Sequence, residues 1–380
     1  MARLARRGGI TRGDAGLTQT VSVDRLVGRR TAANDEFFGA EAQRIALACR
    51  DLAQVFAAGG RLIAVGGSPQ AWSDAHHVAV EFVHPVIVGK RALPALALAE
   101  HELPGMAARD DAVIAFEPLR LTIGGTEWRF ELSVDDPFIR QELGETVYHV
   151  LWELVHVCFD HLGGSSAGAG DSAFLYPFLA QQATDLDDVV ADVTRSVQMK
   201  AREVADLREQ TLGDGADELV AAAAALRRSL DEGGTLLALG NGGSATDAED
   251  VVADFRAAPQ GWPRRPALDL TESSAILSAL ANDIGPEVLF QRQVIAYGRP
   301  GDVVLALSTS GNSENVIEAL AEARRRGLPT IAMVGYDGGR VAGEGLADHV
   351  VVTRSEHIPR IQEAQASAYH VLRELVERLA

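Results

Sequence analysis

The stretch Gly240-Asn241-Gly242-Gly243-Ser244 decides the fold of this chain. It follows an apolar run at residues 235–239, and helical spacing begins directly after it. At such a junction the glycines let the backbone approach an anion closely, and the unpaired N–H groups and the dipole of the helix attract its charge. The spacing is neither the GxGxxG dinucleotide fingerprint nor a Walker loop, because no Lys-Ser/Thr pair follows. It predicts an anion site between a strand and a helix.

A second loop of the same kind lies downstream. Ser308-Thr309-Ser310-Gly311-Asn312-Ser313 follows an apolar run at residues 302–307 and precedes a helical pattern at 314–326. Hydroxyl, amide and backbone N–H groups suit a phosphate on a neutral metabolite without any lysine or arginine. An N-cap at Ser313 within a polar turn would explain one loop. Two loops at successive strand-to-helix junctions indicate phosphate binding.

The two loops resemble the phosphate loops of the sugar isomerase (SIS) fold. Asn282-Asp283 and the segments 299–302 (RPGD) and 360–363 (RIQE) make residues 215–378 similar to phosphoheptose isomerases in particular. Those enzymes interconvert sedoheptulose 7-phosphate and a heptose 7-phosphate aldose. The resemblance implies that phosphate and sugar are bound by Asn241, Gly242, Gly243, Ser244, Asp283, Ser308, Thr309, Ser310, Ser313 and Gln362.

The composition is that of an acidic globular protein. The 380 residues carry 53 acidic against 35 basic side chains, which gives a formal net charge of −18. Such a charge argues against nucleic acid or an anionic membrane as a partner. The two cysteines, Cys49 and Cys158, cannot build a disulfide framework, and no apolar run is long enough for a membrane span. We expect a cytoplasmic protein whose partner is a small phosphosugar.

An internal repeat runs through the chain. Residues 59–66 (GGRLIAVG) align with residues 233–240 (GGTLLALG), and each stretch follows a long helical pattern. The same order continues as residues 93–98 align with 265–270, 111–116 with 302–307, and 139–142 with 360–363. A repeat of this length predicts two copies of one α/β unit, with parallel sheets that have helices on both faces.

The expected fold class is therefore α/β, with two tandem SIS-like three-layer α/β/α domains, the first of them degenerate and shorter. Residues 1–33 carry seven arginines against two aspartates and are predicted to form a flexible basic arm rather than a targeting peptide. The first domain is expected at 34–162, a glycine- and serine-rich linker at 163–178, and the second domain with its phosphate loops at 179–380.

The first copy has lost its phosphate loops but has kept other polar groups. Residues 67–73 replace the glycine loop, and Glu117-Pro118 stands where the second copy has its serine loop. His77 and Glu81 lie four residues apart on one helix face and could bind a divalent ion. The resemblance implies that His77, Glu81, Gln141 and His149 form the metal site, with zinc expected. Gln141 and His149 are separated by about 12 Å of helix, so their side chains would have to converge.

In the second copy the family's histidine and glutamate are replaced by Asp250 and Asp254, whereas Gln362 and His370 are retained. The two aspartates are either ligands for a harder ion or solvated remnants. We hypothesise a division of labour in which phosphate loops of the second copy face catalytic residues of the first. The resemblance implies proton transfer by Glu81 and His149, or by His370 if the second copy works alone.

The chemistry expected from the resemblance is metal-assisted aldose–ketose isomerisation through an enediolate. Two alternatives stay open: an isomerase or epimerase of another phosphosugar, and a binding or scaffold protein without catalysis. A homodimer with four SIS-like units is expected. Apolar stripes on two long helices are candidates for its interface or for the core: Val147, Val150, Leu151, Leu154, Val371, Leu372, Leu375 and Val376.

Overall fold

The computed structural model describes residues 15–85, 90–162 and 186–378. The elements of the first half are α1 (Ala15–Ala57), β1 (Leu62–Gly66), α2 (Pro69–Val83), β2 (Ala95–Ala99), α3 (Leu103–Met106), β3 (Ala112–Phe116), β4 (Leu119–Ile123), β5 (Thr126–Arg129) and α4 (Pro137–Leu162). Those of the second half are α5 (Leu186–Asp214), α6 (Ala216–Asp231), β6 (Leu236–Leu239), α7 (Gly243–Arg256), β7 (Ala267–Asp269), α8 (Ser274–Asp283), α9 (Leu289–Tyr297), β8 (Val303–Ser308), α10 (Glu314–Arg325), β9 (Thr330–Gly335), α11 (Gly339–Gly343), β10 (His349–Thr353) and α12 (Ile358–Arg378).

The strands form two five-stranded sheets, which confirms the α/β class with two units. The second sheet has the order β10-β9-β8-β6-β7 and is parallel throughout. The first has the order β2-β1-β3-β4-β5, and its last two strands are antiparallel. The antiparallel hairpin was not predicted. It arises because the chain turns back at Glu117-Pro118, where the second unit continues into its serine loop and α10.

Two aspartates at corresponding positions make the same contacts in the two units. Asp111 accepts hydrogen bonds from the backbone N–H groups of Arg61 and Ala108 at 2.9 Å each. Asp302 accepts from those of Thr235 and Arg299 at 2.8 Å each. Each carboxylate thus ties the start of one central strand to the loop before the next strand, as expected for copies of one unit.

Replacement of Asp111 by asparagine is expected to lower the free energy of unfolding by about 1 kcal/mol at pH 7. The hydrogen bond from Arg61 lowers the pKa of Asp111 to about 2. The carboxylate therefore stabilises the fold above its unfolded pKa near 4, and this contribution disappears as the pH falls towards 2. Because the Arg61 side chain is 35% exposed, water weakens the pair. Urea titrations of both proteins at pH 7 and pH 2.5 should show a clearly smaller difference at pH 2.5, and an unchanged difference would contradict this account.

The predicted flexible arm is wrong for the part of residues 1–33 that the structure describes. Helix α1 begins at Ala15 and continues to Ala57 without a break at residue 33. Val23 and Leu26 are fully buried in the core of the second unit, and Arg30 is buried between two glutamates. Because its charge is paired with these carboxylates, Arg30 can lie in the interior of the protein. Residues 1–14 and the predicted linker at 163–178 lie outside the described residues, and the other predicted domain boundaries stay predictions.

Helices rather than strands join the two units. Helix α2 packs on α7, and α12 packs on α4, α5, α6 and α7. The apolar stripes of α4 and α12 are buried in this interior, so they belong to the core of the chain and not to a dimer interface. Among the described residues, no helix has both the length and the apolar character of a membrane span. The joined helices bring polar residues of both units into one buried layer.

Candidate functional site

The two predicted phosphate loops lie side by side in the second unit. Strands β6 and β8 are parallel neighbours, so the loops that follow them leave the same edge of the sheet. Asn241 in the first loop and Asn315 at the start of α10 exchange two side-chain hydrogen bonds of 2.9 Å. Gly242 has φ +57° and ψ −125°, a conformation that favours glycine. Helices α7 and α10 thus direct both N-termini towards one region.

The polar side chains of the serine loop differ in what they bind. Ser308 and Ser310 accept hydrogen bonds from the backbone N–H groups of Gly311 and Asn312, so they shape the loop. Ser313 precedes α10, yet its hydroxyl makes no capping hydrogen bond. Thr309 is half-buried beside them. The hydroxyl of Ser313 is therefore available to a ligand.

The glycine loop lies directly beside a histidine of the first unit. A Cβ atom placed on Gly243 would lie 1.9 Å from Gln362 Nε2 and 3.1 Å from His77 Nε2. His77 belongs to α2 of the first unit, whereas Gly243 and Gln362 belong to the second. The glycine loop thus passes close beside the histidine, with space for a glycine hydrogen but not for a side chain.

His77 is part of a buried group that we call the His77 cluster: His77, Glu81, Glu145, His149 and Gln362. The Nε2 atoms of His77 and His149 are 3.3 Å apart, and Gln362 Nε2 donates to His77 Nε2 at 3.1 Å. Glu81 Oε1 lies 3.9 Å from His77 Nε2. Glu145 offers a carboxylate oxygen within 4.8 Å of nitrogen atoms of both histidines.

The His77 cluster fits a divalent cation. His149 Nδ1 lies 3.1 Å from Glu363, which is ion-paired with Arg360, so Nδ1 donates and Nε2 keeps its lone pair. His77 Nε2 also carries a lone pair, which accepts the N–H of Gln362 and which a cation would take over, and it lies 3.3 Å from His149 Nε2. Two ligand atoms about 2.1 Å from one zinc ion would be about 3.4 Å apart. Glu81 Oε2, Glu145 Oε1 and Gln362 Oε1 are also buried without hydrogen-bond partners, as expected of atoms that can serve as ligands for a cation.

Burial sets the charge states of this cluster. It lowers the pKa of His77 well below the usual value, helped by repulsion from His149, and it lowers the pKa of His149 to about 3, helped by Arg360. Both imidazoles are therefore neutral, as metal ligands must be. Burial, followed by repulsion from Glu153 and Glu363, raises the pKa of Glu81 to about 8. A carboxyl group with such a pKa can both take up and release a proton near neutral pH.

A second buried group, the Asp250 cluster, consists of Asp250, Asp254 and His370. His370 Nε2 lies 3.4 Å from a carboxylate oxygen of each aspartate. Gln141 belongs to this second group, because its amide donates to Asp250 at 2.8 Å. The structure therefore does not bring Gln141 to His77 as the sequence had suggested, and Gln362 takes that place.

Helices α4 and α12 exchange their polar residues between the two clusters. The adjacent pair Gln141 and Glu142 of α4 reaches Asp250 and His370, and the equivalent pair Gln362 and Glu363 of α12 reaches His77 and His149. The 12 Å separation on one helix thus needs no convergence, because each helix serves two clusters. Each cluster is completed only by residues from both units.

One residue predicted for the site lies elsewhere in the structure, and two residues at the site were not predicted. Asp283 is exposed at the end of α8, where Asn282 donates to it, and among the described residues no contact links it to either cluster. Glu145 was missed, although it lies four residues after Gln141 and four before His149 and so shares their helix face. Asp247, 3.6 Å from His77 Nδ1, was also missed.

Comparisons with known proteins agree with this architecture. The SIS domain family model matches residues 201–335. The phosphoheptose isomerase of Chlorobium phaeobacteroides is 45% identical over 176 residues, which is 45% of this chain and 77% of that protein. That of Aquifex aeolicus is 41% identical over 180 residues, which is 47% of this chain and 93% of that protein.

Solved structures are similar to this chain as well. The phosphoheptose isomerase of Neisseria gonorrhoeae is 32% identical and covers 49% of this chain and 100% of its own, with a TM-score of 0.46. The C-terminal domain of glucosamine-fructose-6-phosphate aminotransferase from Francisella tularensis is 12% identical and covers 92% and 95%, with a TM-score of 0.51, so it shares the fold alone. On the identity and coverage of the curated relatives, the chain belongs to the phosphoheptose isomerase family.

Proposed function

We propose that the chain is an aldose–ketose isomerase that converts sedoheptulose 7-phosphate to the heptose 7-phosphate aldose, with one active site shared by its two units. The observation that carries the proposal is the contact of the phosphate loop at Gly243 with His77 and Gln362. It joins a phosphate site of one unit to acid–base groups of the other. The relatives named above supply the reaction class.

In this proposal the second unit holds the substrate by its phosphate. The loops at 240–244 and 308–313 each lead into a helix N-terminus, and the hydroxyl of Ser313 makes no capping hydrogen bond to its helix. Phosphate binding, remote from the reacting carbons, positions the open-chain sugar over the His77 cluster. Asp283 is a candidate for binding sugar hydroxyl groups if the substrate extends to the end of α8.

A divalent ion, with zinc proposed, would be held by His77, His149, Glu145 and Gln362, with Glu81 beside them. When bound, such an ion polarises a carbonyl oxygen and stabilises negative charge on it. The two neutral imidazoles and the carboxylates favour zinc over magnesium.

The proton transfers are assigned to the chain's own residues. Glu81 takes the proton from one carbon and returns it to the neighbouring carbon, which its raised pKa near 8 permits at neutral pH. His149 is kept in one tautomer by Glu363 and faces the same space. His370 is not assigned to this reaction, because its Nε2 faces Asp250 and Asp254.

The proposal is tested by incubating the purified protein with sedoheptulose 7-phosphate and following the aldose product by NMR, with and without added zinc. Turnover of this ketose above that of fructose 6-phosphate is the expected result. Efficient turnover of another ketose phosphate, with no turnover of sedoheptulose 7-phosphate, would support an isomerase of another phosphosugar. No turnover of any of them would leave a binding protein.

Replacement of Ser313 by alanine is expected to raise KM for the phosphosugar about tenfold with little change in kcat, since one hydrogen bond to a charged phosphate is lost. The fold should keep its stability, because this hydroxyl does not cap α10. Ser273→Ala is the matched control. Its hydroxyl accepts from the N–H of Ile276 at the start of α8, so that variant should lose about 1 kcal/mol of stability and keep its KM. Equal KM values for the two variants would contradict a phosphate role for Ser313.

We also propose that the chain forms a homodimer with four SIS-like units. Exposed apolar side chains on the second unit support it: Ile284, Ile295 and Tyr297, which are 52%, 37% and 40% exposed. Light scattering at several concentrations gives the mass directly. A single species of 40 kDa would exclude the dimer.

A further inference from the structure

The Asp250 cluster has no part in the proposed isomerisation, yet its geometry calls for a ligand. His370 Nε2 and Asp254 Oδ2 are buried and make no hydrogen bond. Both atoms belong to residues that are at most 2% exposed. Burial of unpaired polar atoms is costly, and here two of them face each other across a short gap.

The distances fit an ion better than a hydrogen bond. His370 Nε2 lies 3.4 Å from Asp250 Oδ2 and 3.4 Å from Asp254 Oδ2. An imidazole N–H bonded to a carboxylate would lie about 2.8 Å from it. Ligand atoms bound to one divalent ion at about 2.1 Å are about 3.0 to 3.4 Å apart.

The surrounding contacts orient these three side chains as outer partners orient metal ligands. His370 Nδ1 lies 3.0 Å from Glu142, which is paired with Arg30, so Nε2 is turned towards the aspartates. Asp250 accepts hydrogen bonds from Gln141, Ser73 and Tyr369, and Asp254 accepts one from Gln70. Tyr369 donates to the Asp250 oxygen that lies nearest His370, so of the four carboxylate oxygens Asp254 Oδ2 alone faces the gap without a hydrogen bond.

The local charge balance also favours a cation. Asp74 and Asp247 are further buried carboxylic acids close to Asp250. Arg30 is shared between Glu142 and Glu374, and Arg373 donates to the main-chain oxygen of Asp254 rather than to its carboxylate. The acids therefore outnumber the bases packed around this gap.

A cavity of about 480 Å³ reaches Asp254 and gives an ion a path from solvent. Its walls include Phe116, Leu119 and Phe138, together with Glu117 and Pro118 at the position of the lost serine loop. Glu117 would repel a phosphate, and Pro118 has no N–H to donate. This cavity thus admits a small cation but does not offer a phosphosugar the kind of loops proposed to hold phosphate at 240–244 and 308–313.

We propose that Asp250, Asp254 and His370 form a second divalent-cation site, selective for a harder ion of the manganese type, which holds the two units together without taking part in isomerisation. Two short carboxylates and one imidazole make an oxygen-rich ligand set, whereas the His77 cluster offers two imidazoles. The ion would bridge α7 to α12, and through Glu142 and Gln141 it would fix α4 of the other unit.

The test is the metal content of metal-stripped protein after equilibration with equimolar Mn²⁺ and Zn²⁺, read by mass spectrometry, together with Mn²⁺ binding read by EPR. The variants are Asp254→Asn, which keeps the side-chain shape, and Glu249→Gln as the matched control. Glu249 lies on the same helix, pairs with His76 and does not face the gap. His77→Ala reports on the other cluster.

Wild type and Glu249→Gln are expected to bind one Mn²⁺ per chain and to unfold at a higher temperature with Mn²⁺ than without it. Asp254→Asn should bind Mn²⁺ about 100-fold more weakly or worse and lose the shift in unfolding temperature, although it folds. His77→Ala should retain both Mn²⁺ and the shift, whatever the fate of isomerase activity. Unchanged Mn²⁺ affinity in folded Asp254→Asn would overturn the proposal, as would a wild type that binds no Mn²⁺.

Discussion

Replacement of His77 by alanine is expected to reduce kcat/KM for the phosphosugar by about 10³-fold and to remove one zinc ion per chain. His77 lies beside the glycine loop, Gln362 and His149 at once, so its loss breaks the link between the proposed phosphate site and the proposed acid–base groups. The fold should persist, because removal of an imidazole leaves a polar cavity that water can enter. Steady-state kinetics and metal analysis of the same sample measure both losses.

The matched control is His76→Ala, one residue away. His76 is 38% exposed and pairs with Glu249 on α7 at 2.9 Å, outside the His77 cluster. It should keep its zinc and turn over within about threefold of wild type, since exposed ion pairs contribute little. If the His76 and His77 variants were equally active, the His77 cluster would not be the active site.

The largest effect on stability is expected from Arg30→Ala, which should lower the free energy of unfolding by about 3 to 5 kcal/mol. Arg30 is buried and lies 3.0 Å from Glu142 on α4 and 3.2 Å from Glu374 on α12. Its removal takes the shared cation away from two buried carboxylates at the point where α1 joins both units, which leaves Glu142 with His370 and Glu374 with Arg378. Urea denaturation followed by circular dichroism gives the difference.

Arg29→Ala is the control for this effect, because Arg29 is the adjacent residue on the same helix. Its side chain is 44% exposed and pairs with Asp136, so a loss below about 1 kcal/mol is expected. A difference of less than 1 kcal/mol between the two variants would mean that the segment around Arg30 is not anchored as described.

Much of the fold follows from local signals in the sequence. The glycine and serine loops mark strand-to-helix junctions, and the repeat of residues 59–66 at 233–240 identifies two related units. The hairpin of β4 and β5 was missed, although Gly124-Gly125 between two alternating stretches is a signal for a two-residue turn. The predicted start of helix α1 was too late, because the clustered arginines before residue 34 are typical of a flexible tail. The burial of Arg30 depends on glutamates more than 100 residues away in the sequence.

The candidate site was predictable residue by residue but not in its assembly. His77 and His149 were expected together, and the structure places their Nε2 atoms 3.3 Å apart. Gln141 lies in the Asp250 cluster and Gln362 in the His77 cluster because of the way α4 and α12 cross. The crossing of two helices depends on tertiary packing and cannot be predicted from local sequence patterns. Glu145 could have been found, because a carboxylate midway between Gln141 and His149 lies on the same helix face.

The central claim is that one active site is built from both units, and the paired variants Gln362→Ala and Gln141→Ala test it most directly. The two glutamines occupy equivalent positions in the repeat, but Gln362 contacts His77 and Gln141 contacts Asp250. The measurement is kcat/KM on sedoheptulose 7-phosphate for both folded variants. The account predicts a loss of about 100-fold for Gln362→Ala and at most a few-fold loss for Gln141→Ala. A large loss for Gln141→Ala with an active Gln362→Ala would contradict it.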